Sequence, residues 1–148
     1  APLVAGIVDH FQASDKHKDL VVVGPPKAGA MLEGSKDFAK AFMVRHNIPT
    51  ADYSTFSKGE LKEAKKYLDK RTPPYVLKVD GLAAGKGVII TEDREEAEAT
   101  LEDILENAAF GEAGSRVVIE QFMDGIEVSS FVVTDGSAYR ILPSAKDY

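Results

Sequence analysis

The 148-residue sequence contains no cysteine. This absence excludes disulfides, zinc–thiolate sites, iron–sulfur clusters and thiol catalysis, and it fits a reducing compartment. We therefore expect a cytoplasmic protein. No apolar run approaches the roughly 18 residues that a membrane-spanning helix needs, and no basic segment followed by an apolar one marks a signal peptide. We expect no membrane partner.

Basic residues are also fewer than acidic ones. The sequence has 18 Lys and Arg residues against 24 Asp and Glu residues, for a formal net charge of -6. A dedicated nucleic-acid-binding protein neutralises phosphates with a basic face, so this balance argues against DNA and RNA partners. Residues 92–106 hold eight of the acidic residues and one base. The acidity therefore belongs mainly to one segment, and it does not oppose a polyphosphate ligand bound elsewhere.

Apolar periodicity and turn residues predict an α+β fold. Helices are expected at 27–32, 36–46 and 58–71, and in the acidic segment after an N-cap at Thr91. The predicted core face of the acidic helix consists of Ala97, Leu101, Ile104, Leu105 and Ala108. Strands are expected at 20–23, 75–79, 88–91, 116–121, 127–134 and 138–142, with a further short one at 53–56. Asp135-Gly136 predicts a hairpin turn before the strand at 138–142. In the helix at 36–46, the apolar residues from Phe38 to Met43 predict the core face, with Lys40 on another face.

The segment from Lys78 to Gly87 has the most informative chemistry. A strand ends near Lys78, and a loop of small residues then places Lys86 between Gly85 and Gly87. Small residues let backbone N–H groups approach an anion, and the two ammonium groups supply countercharge. The loop is not a Walker A motif, because three residues separate Gly81 from Gly85. A phosphate-binding loop and a structural glycine turn both remain open.

A second candidate region follows the strand at 116–121. The strand ends in Glu120 and Gln121, and Phe122 and Met123 come next. Backbone groups just past a strand can supply the donor and acceptor that an adenine edge needs, with apolar side chains closing the slot. Glu127 is near enough in sequence to reach a ribose. The alternative is a plain hinge with solvated carboxylates.

The third candidate is Lys36, which follows a predicted helix N-cap at Ser35. A cation there can share a bound phosphate with the helix N–H groups. The alternative is a solvated surface lysine. The three histidines show no metal-ligand spacing, so no metal-binding residue is assigned.

These segments occur together with further short motifs. They are Leu-Glu-Gly-Ser-Lys at 32–36, Ile-Pro-Thr-Ala at 48–51, Lys-Val-Asp-Gly-Leu-Ala-Ala-Gly-Lys-Gly-Val at 78–88, Phe-Gly-Glu-Ala-Gly at 110–114, Val-Ile-Glu at 118–120, Asp-Gly at 124–125 and Leu-Pro-Ser-Ala-Lys-Asp at 142–147. In this order they resemble the glycinamide ribonucleotide synthetases, which are ATP-grasp enzymes. The resemblance covers nearly the whole chain, and the loop at 81–87 is its most specific part.

The resemblance implies roles for the candidate residues. Lys36 and Lys78 are expected to contact the nucleotide phosphates, and the loop at 81–87, with Gly81, Gly85, Lys86 and Gly87, is expected to cover them. The backbone of Gln121 and Met123 would meet adenine beside Glu120, and Glu127 would bind the ribose. Asp147 is a weaker candidate for substrate binding, because the tail differs from the usual Gln-Asp-His-Lys-Arg of the family.

The resemblance also implies the reaction and its ligands. Such enzymes join glycine to 5-phosphoribosylamine with ATP and Mg²⁺, through a glycyl phosphate. Family members are longer, and their magnesium ligands are expected beyond Tyr148. We therefore expect a piece of a larger enzyme that is inactive alone, and a monomer, with edge-strand association possible. The alternatives are another ATP-grasp carboxylate–amine ligase, a non-catalytic nucleotide-binding module, and an α+β domain with a purely structural glycine loop.

Four ranges are expected within this arrangement. They are 1–24 (tail of an N-terminal substrate domain), 25–73 (a helix-rich first ATP-grasp subdomain), 74–121 (an ATP-binding lid subdomain) and 122–148 (the first strands of the catalytic subdomain). The prolines at 73 and 74 mark the clearest boundary.

Overall fold

The computed structural model describes residues 2–82, 86–107, 109–111 and 116–146. The helices of these ranges are α1 (Pro2–Ala5), α2 (Ile7–Gln12), α3 (Lys27–Gly34), α4 (Lys36–Arg45), α5 (Leu61–Leu68) and α6 (Arg94–Leu105), with a 3-10 turn at Asp15–His17. The strands are β1 (Tyr53–Ser57), β2 (Tyr75–Val79), β3 (Val88–Thr91), β4 (Arg116–Glu120), β5 (Val128–Ser129), β6 (Val132–Thr134), β7 (Tyr139–Ile141) and β8 (Ala145–Lys146). The α+β prediction is confirmed.

Among the described helices, none combines the length and the apolarity that crossing a membrane requires.

The central element is a four-stranded sheet in the order β1-β4-β2-β3, with every neighbouring pair antiparallel. In its register, Glu120 of β4 lies opposite Tyr53 of β1 on one side and Val76 of β2 on the other. Directly opposite residues share a face, and successive residues alternate between faces. This register therefore assigns each side chain to one of two sheet faces.

One face of this sheet builds the hydrophobic core. Its buried members include Leu77, Val79, Val117 and Ile119, which pack with side chains of α5 and α6. The helix residues of this core are Ala64, Leu68, Ala97, Leu101, Ile104 and Leu105. Burying an aliphatic side chain of this size stabilises a fold by roughly 1.5–3 kcal/mol. The predicted core face of the acidic helix is confirmed, apart from Ala108, which lies outside the described residues.

The N-cap of α6 differs from the prediction. Asp93 is the cap residue, and its carboxylate accepts the N–H of Glu95 at 2.8 Å. Thr91 is still paired with Tyr75 in the β2–β3 ladder, and its hydroxyl accepts the N–H of Asp93 at 3.0 Å. The prediction of Thr91 as the cap is wrong because the chain needs two more residues to turn from strand to helix.

The predicted buried strand at 20–23 is also wrong. This segment has no regular structure, and Val21 and Val23 are 86% and 87% exposed. A β-branched run favours an extended backbone, but a strand also needs a neighbour for its hydrogen bonds. None of the sheets in the described part of the chain contains this segment.

The predicted strand at 127–134 is divided into two short strands with different partners. β5 pairs with β8, whereas β6 pairs with β7. The turn between β6 and β7 is the predicted Asp-Gly hairpin. The carboxylate of Asp135 accepts the N–H groups of Ser137 and Ala138 at 2.8 and 2.7 Å, and Gly136 has a φ of 91°. A carboxylate that accepts the N–H groups two and three residues further along the chain, together with glycine at positive φ, is typical of tight turns.

Strand β1 lies in the predicted range 25–73 and pairs with β4, which lies in the range 74–121. These two ranges therefore share one sheet. The four predicted boundaries stay a prediction.

Candidate functional site

The second face of the sheet is charged. Glu120, Lys78 and Arg116 lie on it by the ladder register, and contacts from α4 reach it. Its cations are Lys36, Lys40, Lys78 and Arg116, and its carboxylates are Asp37, Asp80 and Glu120. Four cations against three carboxylates give this region a positive excess, although the whole chain has a net charge of -6.

Glu120 is the centre of one part of this region. Its Oε2 atom lies 3.1 Å from Nζ of Lys40 and 3.0 Å from Nζ of Lys78. The Glu120 and Lys40 side chains are 6% and 9% exposed, whereas that of Lys78 is 29% exposed. Lys78 is therefore the member of this trio that an approaching ligand meets first.

Lys40 is a site residue that the sequence reasoning missed. Helical periodicity predicts it on a face away from the core, yet it is the buried residue of α4, while Phe38 is 39% exposed. Its Nζ also donates to the hydroxyl of Thr50 at 2.8 Å. Lys40 follows Lys36 by four residues and so lies on the same helix face. That spacing places Lys40 beside Lys36 on the helix, but it does not indicate that Lys40 is buried or that Glu120 is its partner.

Asp80 is the centre of the other part. Its buried carboxylate accepts the Ser35 hydroxyl at 3.0 Å and the N–H of Asp37 at 3.1 Å, and it pairs with Arg116. Ser35 also accepts the N–H of Phe38 at 3.1 Å, which confirms it as the N-cap of α4. Two N–H groups at this helix start therefore already have acceptors within the protein.

Lys36 contacts the beginning of the glycine loop. Its Nζ donates to the carbonyl oxygens of Val79 and Gly81, at 2.9 and 3.1 Å. Gly81 has a φ of 96°, a conformation that favours glycine. At the other end of the loop, the Gly87 carbonyl accepts the N–H of Val79 at 2.7 Å. Val79, the last residue of β2, therefore links Lys36 to both ends of the glycine loop.

The remaining predicted residues lie outside this network of contacts. Lys86, Gln121, Met123 and Glu127 are all exposed, and Met123 is 69% exposed. The N–H of Gln121 donates to the Asp52 carbonyl at 2.8 Å. Gly85 and Asp147 were also predicted and lie outside the described residues. The structure thus brings together Lys36, Lys78, Gly81, Gly87 and Glu120.

Tyr53 lies opposite Glu120 in the sheet, and Nζ of Lys40 is 5.6 Å from the centre of its ring. Burial raises the pKa of Tyr53 above its ordinary value, and the negative charge of Asp37 raises it further. Its phenol is therefore a neutral neighbour of the charged groups at ordinary pH.

Within the described ranges, no group of three or more His, Cys, Asp or Glu side chains could hold a metal ion. The carboxylates of the charged face are instead paired with lysine and arginine.

Solved structures identify the class of fold. D-Alanine–D-alanine ligase from Helicobacter pylori aligns with 99% of this chain and 42% of its own, with a TM-score of 0.73 and 17% identity. At that identity the likeness establishes the fold alone. Phosphoribosylamine–glycine ligase from Thermotoga maritima aligns with 91% of this chain and 35% of its own, with a TM-score of 0.79 and 37% identity. The fold is that of the ATP-grasp enzymes.

The family is established by sequence. Residues 34–148 match the family of the phosphoribosylglycinamide synthetase ATP-grasp (A) domain, and the chain belongs to that family. Phosphoribosylamine–glycine ligase from Pseudomonas putida is 53% identical over 145 residues, which are 98% of this chain and 32% of that relative. The Pasteurella multocida ligase is 50% identical over 148 residues, 100% of this chain and 33% of that relative. The chain spans about a third of the length of these curated relatives. The resemblance drawn from the motifs is confirmed.

Proposed function

We propose that the complete protein carrying this sequence is an ATP-dependent phosphoribosylamine–glycine ligase. It joins glycine to 5-phosphoribosylamine and gives glycinamide ribonucleotide, ADP and phosphate. The family membership and the names of the relatives support this reaction. The observation that carries it is the charged sheet face, where Lys36 and Lys78 flank the start of the glycine loop.

The proposed role of this face is to bind the phosphates of ATP. Its cations outnumber its carboxylates, and Lys78 is its partly exposed ammonium group beside Glu120. Backbone N–H groups of small-residue loops and lysine ammonium groups are suitable partners for phosphate oxygens. In the same proposal, adenine lies at the hinge formed by Gln121 and Met123, and Glu127 binds the ribose hydroxyls.

The proposed chemistry has two steps. A carboxylate oxygen of glycine attacks the γ-phosphorus of ATP, and the bond to the ADP oxygen breaks. The amine of 5-phosphoribosylamine then attacks the carbonyl carbon of glycyl phosphate, and phosphate leaves. Negative charge is redistributed over the transferred phosphoryl group, so fixed cations around it lower the barrier. Lys36 and Lys78 are the residues of this chain that we assign to that task.

Magnesium belongs to the proposal as the companion of ATP. The described residues offer no suitable cluster of ligands. None of them is therefore assigned as a magnesium ligand.

We also propose a cytoplasmic monomer without nucleic-acid or membrane partners. The absence of cysteine supports the cytoplasmic location, and the negative net charge supports the lack of nucleic-acid partners.

The test measures ATP binding and ADP release by the complete protein. Lys78→Met keeps most of the side-chain volume but removes the charge, and we expect it to weaken ATP binding about tenfold or more. Lys62→Met is the matched control, because Lys62 is an exposed lysine on α5. Wild-type protein should release ADP only when both glycine and 5-phosphoribosylamine are present.

Three results would contradict the proposal, each in a different way. ATP binding without ADP release would indicate a non-catalytic nucleotide-binding module. ADP release with another carboxylate or amine would indicate a different ATP-grasp ligase. Unchanged ATP affinity in Lys78→Met would indicate that the glycine loop and its lysines are structural only. The inactivity of the isolated 148 residues stays a prediction, which the same ADP assay tests.

A further inference from the structure

Two lysines share one carboxylate oxygen beneath the proposed phosphate site. Nζ of Lys40 and Nζ of Lys78 lie 3.1 and 3.0 Å from the same Oε2 atom of Glu120. The lysines come from different elements, since Lys40 belongs to α4 and Lys78 to β2. The arrangement is a trio of charges with a net charge of about +1.

The positions of the two lysines differ in a way that matters for a ligand. The side chain of Lys40 is 9% exposed and has a second fixed partner, because it donates to the Thr50 hydroxyl at 2.8 Å. The side chain of Lys78 is 29% exposed. Lys40 is thus held inside the protein, while Lys78 is the member that can meet an anion.

Without Lys40, only the ion pair between Lys78 and Glu120 would remain. A carboxylate within hydrogen-bond distance of a single ammonium group cancels most of the field that a nearby anion experiences. Lys78 would then attract phosphate weakly, because its charge would be offset by Glu120. With Lys40 present, one positive charge remains in excess.

We propose that Lys40 is a positioning residue for the nucleotide phosphates, because it compensates Glu120 and so leaves the charge of Lys78 available to the anion. This inference rests on the proposed function, in which Lys78 contacts phosphate. Lys40 touches no phosphate in this arrangement, and it acts only through Glu120.

The experiment uses the complete protein and two titrants, ATP and inorganic tripolyphosphate, followed by calorimetry at low salt. Tripolyphosphate has no adenine, so a contact between Glu120 and the base does not affect its binding. The variants are Lys40→Met, Glu120→Gln and the double variant Lys40→Met/Glu120→Gln, with Lys62→Met as the exposed-lysine control. Thermal unfolding of each variant establishes that it is folded.

The expected results form an ordered series. Lys40→Met binds tripolyphosphate about tenfold more weakly than wild type, and Glu120→Gln binds it more tightly. The double variant restores binding to within about threefold of wild type, because the carboxylate that Lys40 compensated is also gone. Lys62→Met binds as wild type does. Restoration in the double variant is the result that a purely structural role of Lys40 does not produce.

Two results would overturn the inference. One is a folded Lys40→Met variant that binds tripolyphosphate as wild type does. The other is a folded double variant that binds as weakly as Lys40→Met. If Lys40→Met does not fold, the tripolyphosphate affinities of Glu120→Gln and of the double variant test the inference. Glu120→Gln must then bind more tightly than wild type, and the double variant must bind about equally to wild type.

This test is separable from that of the proposed function. The expected tripolyphosphate series without ADP release dependent on glycine and 5-phosphoribosylamine would support Lys40 and refute the ligase. Substrate-dependent ADP release with an unchanged affinity in Lys40→Met would support the ligase and refute the role of Lys40.

Discussion

The backbone N–H of Asp37 donates a hydrogen bond to the carboxylate of Asp80, at 3.1 Å. Asp37 is in the first turn of α4, and Asp80 directly follows β2. The bond therefore joins the helix that carries Lys36 and Lys40 to the strand that carries Lys78. The relative position of the three lysines depends on this junction.

Replacing Asp80 tests that junction. Asp80→Asn preserves the shape but removes the charge that is buried between Ser35 and Arg116. Because these bonds are charge-assisted and the carboxylate that accepts them is buried, we expect the free energy of unfolding to fall by about 2–3 kcal/mol. Urea unfolding measures this change. Asp19→Asn, at an exposed position, should stay within about 0.5 kcal/mol of wild type. Equal stability of the two variants would contradict the role of Asp80.

The N-cap of α4 is tested by Ser35→Ala. The Ser35 hydroxyl accepts the N–H of Phe38 and donates to Asp80, so its loss leaves both groups with one partner fewer. A lost cap of this type costs about 1 kcal/mol. Ser35→Thr keeps the hydroxyl and should retain most of that stability. Ser137→Ala, at an exposed position, is the control. The same loss in all three variants would argue against capping.

Part of this site can be predicted from the sequence. The loop glycines and Lys78 form a local motif whose chemistry can be understood without neighbours, and Ser35 follows the local rules of helix capping. The role of Lys40 could not be predicted from the sequence in the same way. Helical periodicity assigns residues to faces, but a buried charge becomes plausible only when its partner is known, and Glu120 is 80 residues away in the chain.

The same distinction between local and long-range information explains the errors in the fold prediction. The strands β2, β3 and β4 are apolar runs that were predicted and are paired. The segment at 20–23 has equally favourable residues, but it lacks a partner strand in the described sheets. The acidic helix shows a smaller error of the same kind, because pairing with Tyr75 keeps Thr91 in the strand. Long-range pairing decides such cases, and local propensity does not contain it.

The core assignment predicts unequal costs for two aliphatic truncations. Leu101 is fully buried in the α6 contact with the sheet, whereas Val21 is 86% exposed. Leu101→Ala should lower the free energy of unfolding by about 2–5 kcal/mol, because it leaves a cavity. Val21→Ala should change it by less than about 0.5 kcal/mol. Chemical denaturation of the two variants provides the comparison. A large decrease in the free energy of unfolding of Val21→Ala would support the interpretation of 20–23 as a buried strand.

Lys36 is predicted to hold the start of the glycine loop. Lys36→Met removes the donor to the carbonyls of Val79 and Gly81. We expect faster amide hydrogen exchange at Val79 and Asp80, whose N–H groups are bonded to Gly87 and Arg116. Exchange followed by NMR measures the change at each residue. The exposed-lysine variant Lys62→Met should leave those rates unaltered, and equal rates in both variants would show that Lys36 does not stabilise the loop.

The last prediction concerns acid stability. The hydrogen bond from Arg94 at 2.7 Å lowers the pKa of Glu98 below its ordinary value, and Lys65 at 3.3 Å adds to the shift. A depressed pKa in the folded state means that the unfolded state binds more protons in the acid range. The stabilisation from Glu98 is therefore present above about pH 5, and it is lost as the pH falls through the folded pKa.

The measurement is an NMR titration of the Glu98 carboxyl group, combined with unfolding at several pH values. Arg94→Met should raise the pKa of Glu98 towards its ordinary value and flatten the loss of stability on acidification. Arg45→Met removes an exposed arginine from α4 and should leave the Glu98 titration unchanged. If Glu98 titrates identically in wild type and Arg94→Met, then Arg94 is not the cause of the low pKa. The stability profile separates the same possibilities, because only a group whose pKa differs between the folded and unfolded states gives stability a dependence on pH.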